Sequence, residues 1–288
     1  MQRAWFALAA AAAVFVSSGF VAGARAAERW EIFTRPPPLP PAQMEGRVVH
    51  DGARIWFATF GAGPPVILLH GFGGASDNFG FQVPALIADG RRVIVIDSRG
   101  QGRSTHDARE FNYELMESDV VAVMDAIGVR KADVVGWSDG AILGLIMAMK
   151  HPERTNRIFA FSPLMDTSGY AKDWLSKPIM APVIEASTAD YLRLSPNPGD
   201  LQVLMDEAGK LSATQPNYTA NDLAKIHGPA IAIVDGDHEE LIPPEHTRYI
   251  ARTIPGAKLI ILPGVSHFAP GQAPDEFNKA MIDFLDAR

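Results

Sequence analysis

Short apolar runs recur along the chain and alternate with longer segments in which apolar residues follow a helical period. The runs are brief and rich in Val and Ile, which favours strands buried on both faces of a mostly parallel sheet. They lie at residues 66–69, 93–96, 134–137, 158–161, 231–234 and 259–262. Helix candidates lie at residues 79–88, 113–127, 141–150, 245–253 and 273–285. This alternation predicts an open α/β sheet with helices on both faces.

Two segments depart from the alternation. Residues 46–50 and 54–60 have strand-like composition, and the Asp51-Gly52 pair nearby predicts a hairpin turn. Residues 163–224 contain no convincing buried strand but carry Met, Tyr and Trp side chains with several prolines. We expect a helical insertion over the strand ends, here called the cap. The alternative is a surface excursion whose aromatic residues merely pack on the main body.

The N-terminal region has the features of an export signal. Arg3 precedes an uncharged run, and an A-x-A pattern at residues 24–26 predicts cleavage near Ala27. The alternative is an uncleaved membrane anchor, because the run is just long enough to span a bilayer. Its alanine-rich composition is weakly apolar and favours a signal peptide over residues 1–27. The mature protein is then expected in the periplasm or outside the cell, without stable membrane insertion.

The proline-rich stretch RPPPLPPAQ at residues 35–43 cannot form a helix or a central strand. Residues 28–45 are therefore predicted to be a stiff linker, followed by one α/β domain over residues 46–288. With 288 residues and 47% hydrophobic content, the chain is large enough for a packed core.

Charge and cysteine content narrow the function. The formal net charge is −7, so the protein repels phosphate backbones and a nucleic-acid partner is not expected. The chain has no cysteine, which excludes a disulfide framework and a thiolate metal site. Neither a metal nor an organic cofactor is implied, and the oligomeric state stays open.

The sequence GWSDG at residues 136–140 directly follows one predicted strand and precedes a predicted helix. Ligands of open α/β sheets bind at the carboxyl ends of strands, which is where Ser138 falls. A serine on such a sharp turn requires small neighbours, which Gly136 and Gly140 supply. In this context the G-x-S-x-G pattern predicts that Ser138 is a nucleophile.

A serine hydroxyl needs a base that takes its proton, and an acid that orients the base. Among eight histidines, His267 stands out because it follows the last predicted strand, at the same end of the sheet as Ser138. The loop after residues 231–234 carries four carboxylates in six residues, at Asp235, Asp237, Glu239 and Glu240. Most are expected to form a solvated acidic loop, but one is well placed between nucleophile and base in chain order.

Charge that develops on a reacting carbonyl oxygen requires hydrogen-bond donors. The glycines of LLHGFGG, at residues 68–74, let backbone N–H groups turn toward a ligand after the strand at residues 66–69. We expect an oxyanion hole formed by the N–H groups of Phe72 and Asp139. His70 is expected to brace this loop, which is a structural role.

These motifs resemble the α/β-hydrolase fold superfamily in their order along the chain, from about residue 46 to the C-terminus. The resemblance implies a Ser-His-acid triad, and DSRGQGRS at residues 97–104 resembles the family's structural turn. The family pattern places an Asp three residues after a Gly and four before a Pro. Gly236 and Pro243 put Glu239 at that position. The fold tolerates Glu as the acid, and Asp237 remains the alternative.

The resemblance implies a serine hydrolase that cleaves a carboxylic ester or related acyl substrate through an acyl-enzyme, and the N-terminal signal adds that it is exported. Lactone, thioester, amide, C–C bond and cofactor-free haloperoxidase chemistry use the same residues and stay open. A different class of function is a non-catalytic protein that binds a small ligand on the same scaffold. The substrate itself cannot be named, because specificity resides in the cap.

Asp139 places a carboxylate directly after the candidate nucleophile. One explanation is that an acidic residue in the first turn of a helix is favoured by about 0.3–1 kcal/mol. The other is that the carboxylate faces the pocket and attracts a cationic group of the substrate.

Overall fold

The computed structural model describes residues 25–287. The predicted signal peptide falls almost entirely on residues 1–24, which lie outside the described part of the chain. Within residues 25–287, no helix has the length and apolar content needed to cross a bilayer.

A single mixed sheet organises the described residues. Its strands occur in the spatial order β1-β2-β4-β3-β5-β6-β7-β8. They are β1 Met44–His50, β2 Ala53–Phe60, β3 Pro65–Leu69, β4 Arg92–Ile96, β5 Ala132–Trp137, β6 Thr155–Phe161, β7 Ala230–Gly236 and β8 Lys258–Leu262. β1 and β2 form the predicted antiparallel hairpin, in which His50 pairs with Ala53. β2 also runs antiparallel to β4, and the remaining neighbours are parallel.

The helices cover both faces of the sheet, as the alternating pattern predicts. They are α1 Gln82–Ala88, α2 Tyr113–Ala126, α3 Asp139–Lys150, α4 Met180–Leu194, α5 Leu201–Thr214, α6 Ala220–Leu223, α7 Pro244–Thr253, α8 Ala269–Gln272 and α9 Pro274–Asp286. Apolar residues of α2, α3 and α7 pack in one core with Ile67 and Ile233 of the sheet. Residues of α1 and α9 pack in a second core with Leu68 and Val234. Successive strand residues enter opposite cores, because side chains alternate along a strand.

β8 differs from the prediction of a strand buried on both faces. Leu259 and Ile261 are each 42% exposed. The reason is position, since β8 lies at the edge of the sheet and has β7 as its neighbour on one side. An apolar run identifies a strand but does not say whether the strand is central.

The predicted insertion at residues 163–224 is helical and contains α4, α5 and α6. Ion pairs attach α4 to the rest of the molecule. Arg193 contacts Asp77 at 2.9 Å, and Arg35 contacts Asp190 at 2.8 Å. The cap is therefore held at the carboxyl edge of the sheet by the loop after β3 and by the N-terminal segment.

The N-terminal segment contacts the same edge through residues 29–35. Residues 32–42 form neither helix nor strand. The Trp30 ring stacks on His238 with ring centroids 3.8 Å apart, and Arg29 Nε donates to the Gly264 carbonyl at 2.7 Å. This segment thus contacts the loops that follow β7 and β8.

Candidate active site

Ser138 lies between β5 and α3 with φ 55° and ψ −117°. A positive φ is uncommon for a residue with a Cβ atom, and it persists only where the surrounding structure enforces it. Here the Ser138 N–H donates to the Phe161 carbonyl on the neighbouring strand at 2.9 Å. The turn thus holds the serine at the carboxyl edge of the sheet, where sequence reasoning expected it.

The glycines of GWSDG are required by close packing. A Cβ atom on Gly136 would overlap the carbonyl oxygen of Gly140, and one on Gly140 would overlap the carbonyl oxygen of Leu69. Backbone atoms cannot move aside as a flexible side chain can. Both positions therefore exclude any larger residue while the turn keeps this geometry.

His267 lies in the loop between β8 and α8, and its side chain is 4% exposed. Its Nδ1 donates to Glu239 Oε1 at 2.9 Å, and the other Glu239 oxygen is 3.1 Å away. A hydrogen bond at Nδ1 leaves Nε2 free to accept a proton. The imidazole ring lies beside Trp137, with centroids 6.1 Å apart, which brings it next to the Ser138 turn.

Within residues 25–287, the hydrogen bonds of the His267 ring go to Glu239, and none joins the ring to Ser138 Oγ. In many hydrolases this contact is long in the free enzyme and shortens when substrate binds. The predicted triad residues thus share one edge of the sheet, and the acid and the histidine are already in contact.

Glu239 is held from several sides. Oε1 accepts backbone N–H bonds from Leu241 at 2.8 Å and Ile242 at 3.1 Å. Oε2 accepts from the Ser162 hydroxyl at 2.8 Å. Asp237, the alternative acid, is elsewhere: its Oδ1 accepts from the Gly264 N–H at 2.6 Å, and its side chain is 41% exposed.

The expected oxyanion loop passes directly over the serine. A Cβ atom on Gly71 would lie 3.1 Å from the Ser138 Cβ. Among the described residues, the N–H groups of Phe72 and Asp139 donate to no protein acceptor, so both are available to a ligand. His70 braces the loop as expected, because Nδ1 donates to the Gly71 carbonyl at 2.8 Å and Nε2 accepts from the Ser98 N–H at 3.0 Å.

Asp139 is buried, with 5% of the residue exposed. A carboxylate that only stabilises the first turn of a helix does not require such burial. Oδ1 accepts from the Tyr113 hydroxyl at 3.0 Å. Oδ2 is buried and has no hydrogen-bond partner among the described residues. Burial raises the pKa of Asp139 to about 6, although the Tyr113 hydrogen bond acts in the opposite direction. An unpaired buried acceptor is costly unless a ligand or water meets it.

The cap contacts the oxyanion loop. Phe72 packs on a small buried cluster formed by Phe111, Tyr191 of α4 and Leu204 of α5. A Cβ atom on Gly73 would lie 3.8 Å from the Cβ of Ser187. The residues that would bind the developing charge are therefore positioned partly by the insertion.

Sequence reasoning missed three residues around the acid. Ser162 directly follows β6, Asp235 is the last residue but one of β7, and Glu240 accepts from the backbone N–H of His267 at 3.1 Å. The carboxylates were visible in the acidic loop, but nothing in the sequence distinguished them from solvated residues. Ser162 gave no signal beyond its place at a strand end.

Burial controls the protonation of this region. It lowers the pKa of His267, while the nearby carboxylate of Glu240 acts in the opposite direction. Burial also raises the pKa of Glu239, and it raises that of Glu240 to about 7. Within residues 25–287, no group of three or more His, Cys, Asp or Glu side chains is arranged to hold a metal ion.

A family model described as the alpha/beta hydrolase fold matches residues 64–202. The human serine hydrolase BPHL is 28% identical over 83% of this chain and 85% of its own length. The enol-lactonase from Burkholderia xenovorans LB400 superimposes with a TM-score of 0.67 at 22% identity, covering 84% of this chain and all of that one. A solved N-acyl homoserine lactone degrading enzyme has a TM-score of 0.66 at 26% identity, covering 83% and 99%.

The chain belongs to the α/β-hydrolase fold superfamily. Its similar proteins include hydrolases of that fold, among them the serine hydrolase and the enol-lactonase named above. The resemblance inferred from the order of motifs along the sequence is confirmed at this level.

Proposed function

We propose that this protein is a serine hydrolase that cleaves a carboxylic ester or a related acyl substrate. The observation that carries the proposal is the Nδ1 hydrogen bond from His267 to Glu239 at 2.9 Å, on the edge that also bears Ser138. The similarity of this chain to a human serine hydrolase over most of both chains also supports assignment to the serine hydrolases.

The chemistry follows from the placement of the groups. Ser138 Oγ attacks the substrate carbonyl carbon while His267 Nε2 takes the hydroxyl proton. Glu239 stabilises the imidazolium that forms. The N–H groups of Phe72 and Asp139 bind the oxyanion at the N-terminus of α3, where the helix dipole also favours negative charge.

The tetrahedral intermediate then collapses. The bond from the carbonyl carbon to the leaving oxygen breaks, and His267 Nε2 returns its proton to that oxygen. A water molecule attacks the acyl-enzyme with the same base, and the acid product leaves as Ser138 Oγ regains its proton. The reaction consumes one water and needs no other reactant.

A fluorophosphonate probe tests the nucleophile, because it reacts much faster with an activated serine than with an ordinary one. We expect it to label the wild-type protein at Ser138 and to leave Ser138→Ala unlabelled. Ser138→Ala should also lose ester hydrolysis by about 10³-fold or more while its circular dichroism spectrum is unchanged. Ser212→Ala, on the exposed face of α5, is the matched control. A wild-type protein that is not labelled would favour the non-catalytic binding protein.

We also propose that the protein is exported and cleaved near Ala27. The support is the weakly apolar run that ends in the A-x-A pattern. The mature N-terminus can be read by mass spectrometry of protein from fractionated cells. An intact N-terminus on membrane-associated protein would support the anchor instead.

A further inference from the structure

Two buried carboxyl groups share one serine hydroxyl behind the candidate triad. Ser162 Oγ is 2.8 Å from Asp235 Oδ1 and 2.8 Å from Glu239 Oε2. Asp235 is 2% exposed. Within residues 25–287, no Lys, Arg or His nitrogen lies within 4.0 Å of the Asp235 carboxyl to neutralise it.

The number of protons at these contacts can be counted. A serine hydroxyl has one hydrogen, so it can donate to only one of the two carboxyl oxygens. The second 2.8 Å contact needs another proton, because two oxygen lone pairs repel at that distance. That proton must belong to Asp235 or to Glu239.

The surrounding donors decide between the two acids. Glu239 accepts three N–H groups, from Leu241, Ile242 and His267, and an N–H group can only donate. These fixed donors favour the charged form of Glu239. Asp235 accepts one N–H bond, from Gly236 at 3.0 Å. Its other partners are the hydroxyls of Ser162 and of Thr247 on α7, which can turn either way.

We propose that Asp235 is a neutral carboxylic acid in the resting protein and a positioning residue for the triad. Its proton is donated to Ser162 Oγ, and the Ser162 hydroxyl in turn donates to Glu239 Oε2. The positioning role rests on the proposed function, whereas the location of the proton does not. Glu239 is then fixed at both oxygens and remains the single negative charge that faces the His267 ring through a hydrogen bond.

The backbone supports this arrangement. Ser162 has φ 51°, a left-handed conformation that is unfavourable for a residue with a Cβ atom. Its N–H donates to the Val234 carbonyl at 2.8 Å, which fixes the residue between β6 and β7. The hydroxyl is thereby directed between the two acids. Burial and the neighbouring Glu239 both raise the pKa of Asp235 well above its ordinary value.

Infrared spectroscopy at pH 9 detects the proton directly, through the carbonyl stretching band of a carboxylic acid. The buried acids Asp139, Glu117 and Glu240 have pKa values of about 6, 7 and 7 and are ionised there. We expect the wild-type protein to show a band that Asp235→Asn lacks. Absence of the band, or its persistence in Asp235→Asn, would overturn the proposal. The measurement does not depend on turnover, so it stands even if Ser138 proves not to be the nucleophile.

The pH profile of kcat/KM gives a second readout. The charged and titratable groups that act on His267 come from several elements: Glu239 and Glu240 after β7, Asp139 on α3 and Asp235 itself. If Asp235 is neutral, Asp235→Asn removes no charge, so the acid limb of the kcat/KM profile stays in place. If Asp235 is charged, the variant moves the acid limb to lower pH, which would overturn the proposal. Asp237→Asn is the control in the same loop and should change neither the limb nor the band.

Two further variants test the positioning role of Ser162 and the identity of the protonated acid. Ser162→Ala removes the link and should lower kcat about tenfold with little change in KM; full activity in this variant would refute the positioning role. Thr247→Val removes the hydroxyl bonded to Asp235 and should shift the infrared band. This shift identifies the acid even if Asp235→Asn fails to fold, and a band that does not move would count against Asp235.

Discussion

His267 donates a hydrogen bond from Nδ1 to Glu239. Asp237, which lies two residues before Glu239 in the chain, accepts a hydrogen bond from the Gly264 N–H instead, and its side chain is partly exposed. The loop that leaves β7 carries both carboxylates to the correct edge of the sheet. Its turn directs Glu239 inward, because Leu241 and Ile242 offer their N–H groups to the same carboxylate.

Glu239→Gln should therefore lose kcat by two to four orders of magnitude, since an amide cannot stabilise the imidazolium and can select the wrong tautomer. Glu239→Asp should keep a measurable part of the activity, because the charge remains and only the reach is shorter. Steady-state kinetics with p-nitrophenyl esters measures both. Asp237→Asn is the matched control and should cost far less; if it were the more damaging change, the role of the acid would pass to Asp237.

Activity should persist to mildly acidic pH. The base must be neutral to take a proton, and burial lowers the pKa of His267 from its ordinary 6.5. The acid limb of kcat/KM should therefore have its midpoint below 6.5, with a tenfold fall per pH unit beyond it.

Glu240→Gln provides the check on this assignment. Charged Glu240 raises the pKa of His267, but its own pKa of about 7 leaves Glu240 largely protonated where the limb lies, so Glu240→Gln should move the limb only slightly toward low pH. The side chain can still accept the His267 N–H, which separates the loss of charge from the loss of a hydrogen bond. A limb that moves to higher pH in this variant would show that another group controls it.

The buried Asp139 carboxylate should favour substrates that carry an amine. The charge of a carboxylate adjacent in sequence to the nucleophile can attract a substrate cation, whereas a purely structural carboxylate would affect stability alone. Asp139→Asn should lower kcat/KM for amine-bearing esters more than for neutral esters of the same size. The preference should also fade in the wild type below about pH 6, where Asp139 becomes protonated. Equal losses for both substrate types would leave a stabilising role at the helix start as its explanation.

Two glycines should respond oppositely to alanine. Gly140→Ala places a Cβ against the Leu69 carbonyl oxygen and should cost about 3 kcal/mol or more in the free energy of unfolding. Gly209 lies within α5, and no atom lies within 4 Å of a Cβ built there. Gly209→Ala should stabilise the protein by about 0.5–1 kcal/mol, because alanine loses less backbone entropy in a helix. Thermal unfolding of the two variants beside the wild type measures both signs, and destabilisation by Gly209→Ala would contradict the steric argument.

Much of the fold could be predicted from the sequence because it depends on local properties. The period of apolar residues identified β3 to β8 and the helices α1, α2, α3, α7 and α9, and the Asp51-Gly52 pair identified the first hairpin. The turn at Ser138 was recognisable because its steric demand requires glycines at fixed positions nearby. The spacing from Gly236 to Pro243 pointed to Glu239, the residue that the structure places against His267.

The remaining features depend on which segments lie side by side, and only the tertiary structure shows which segments are neighbours. Ser162 and Asp235 are 73 residues apart and meet because β6 and β7 are neighbours in the sheet. Asp139 is enclosed by Tyr113 from another helix, and β8 is half-exposed because it lies at the edge. The pattern of residue types along the sequence indicates which side chains each segment can bury. Whether a side chain is buried, or shares a proton, depends on the side chain that lies beside it in the fold. Such neighbouring side chains come together only when hydrogen bonding has set the order of the strands in the sheet.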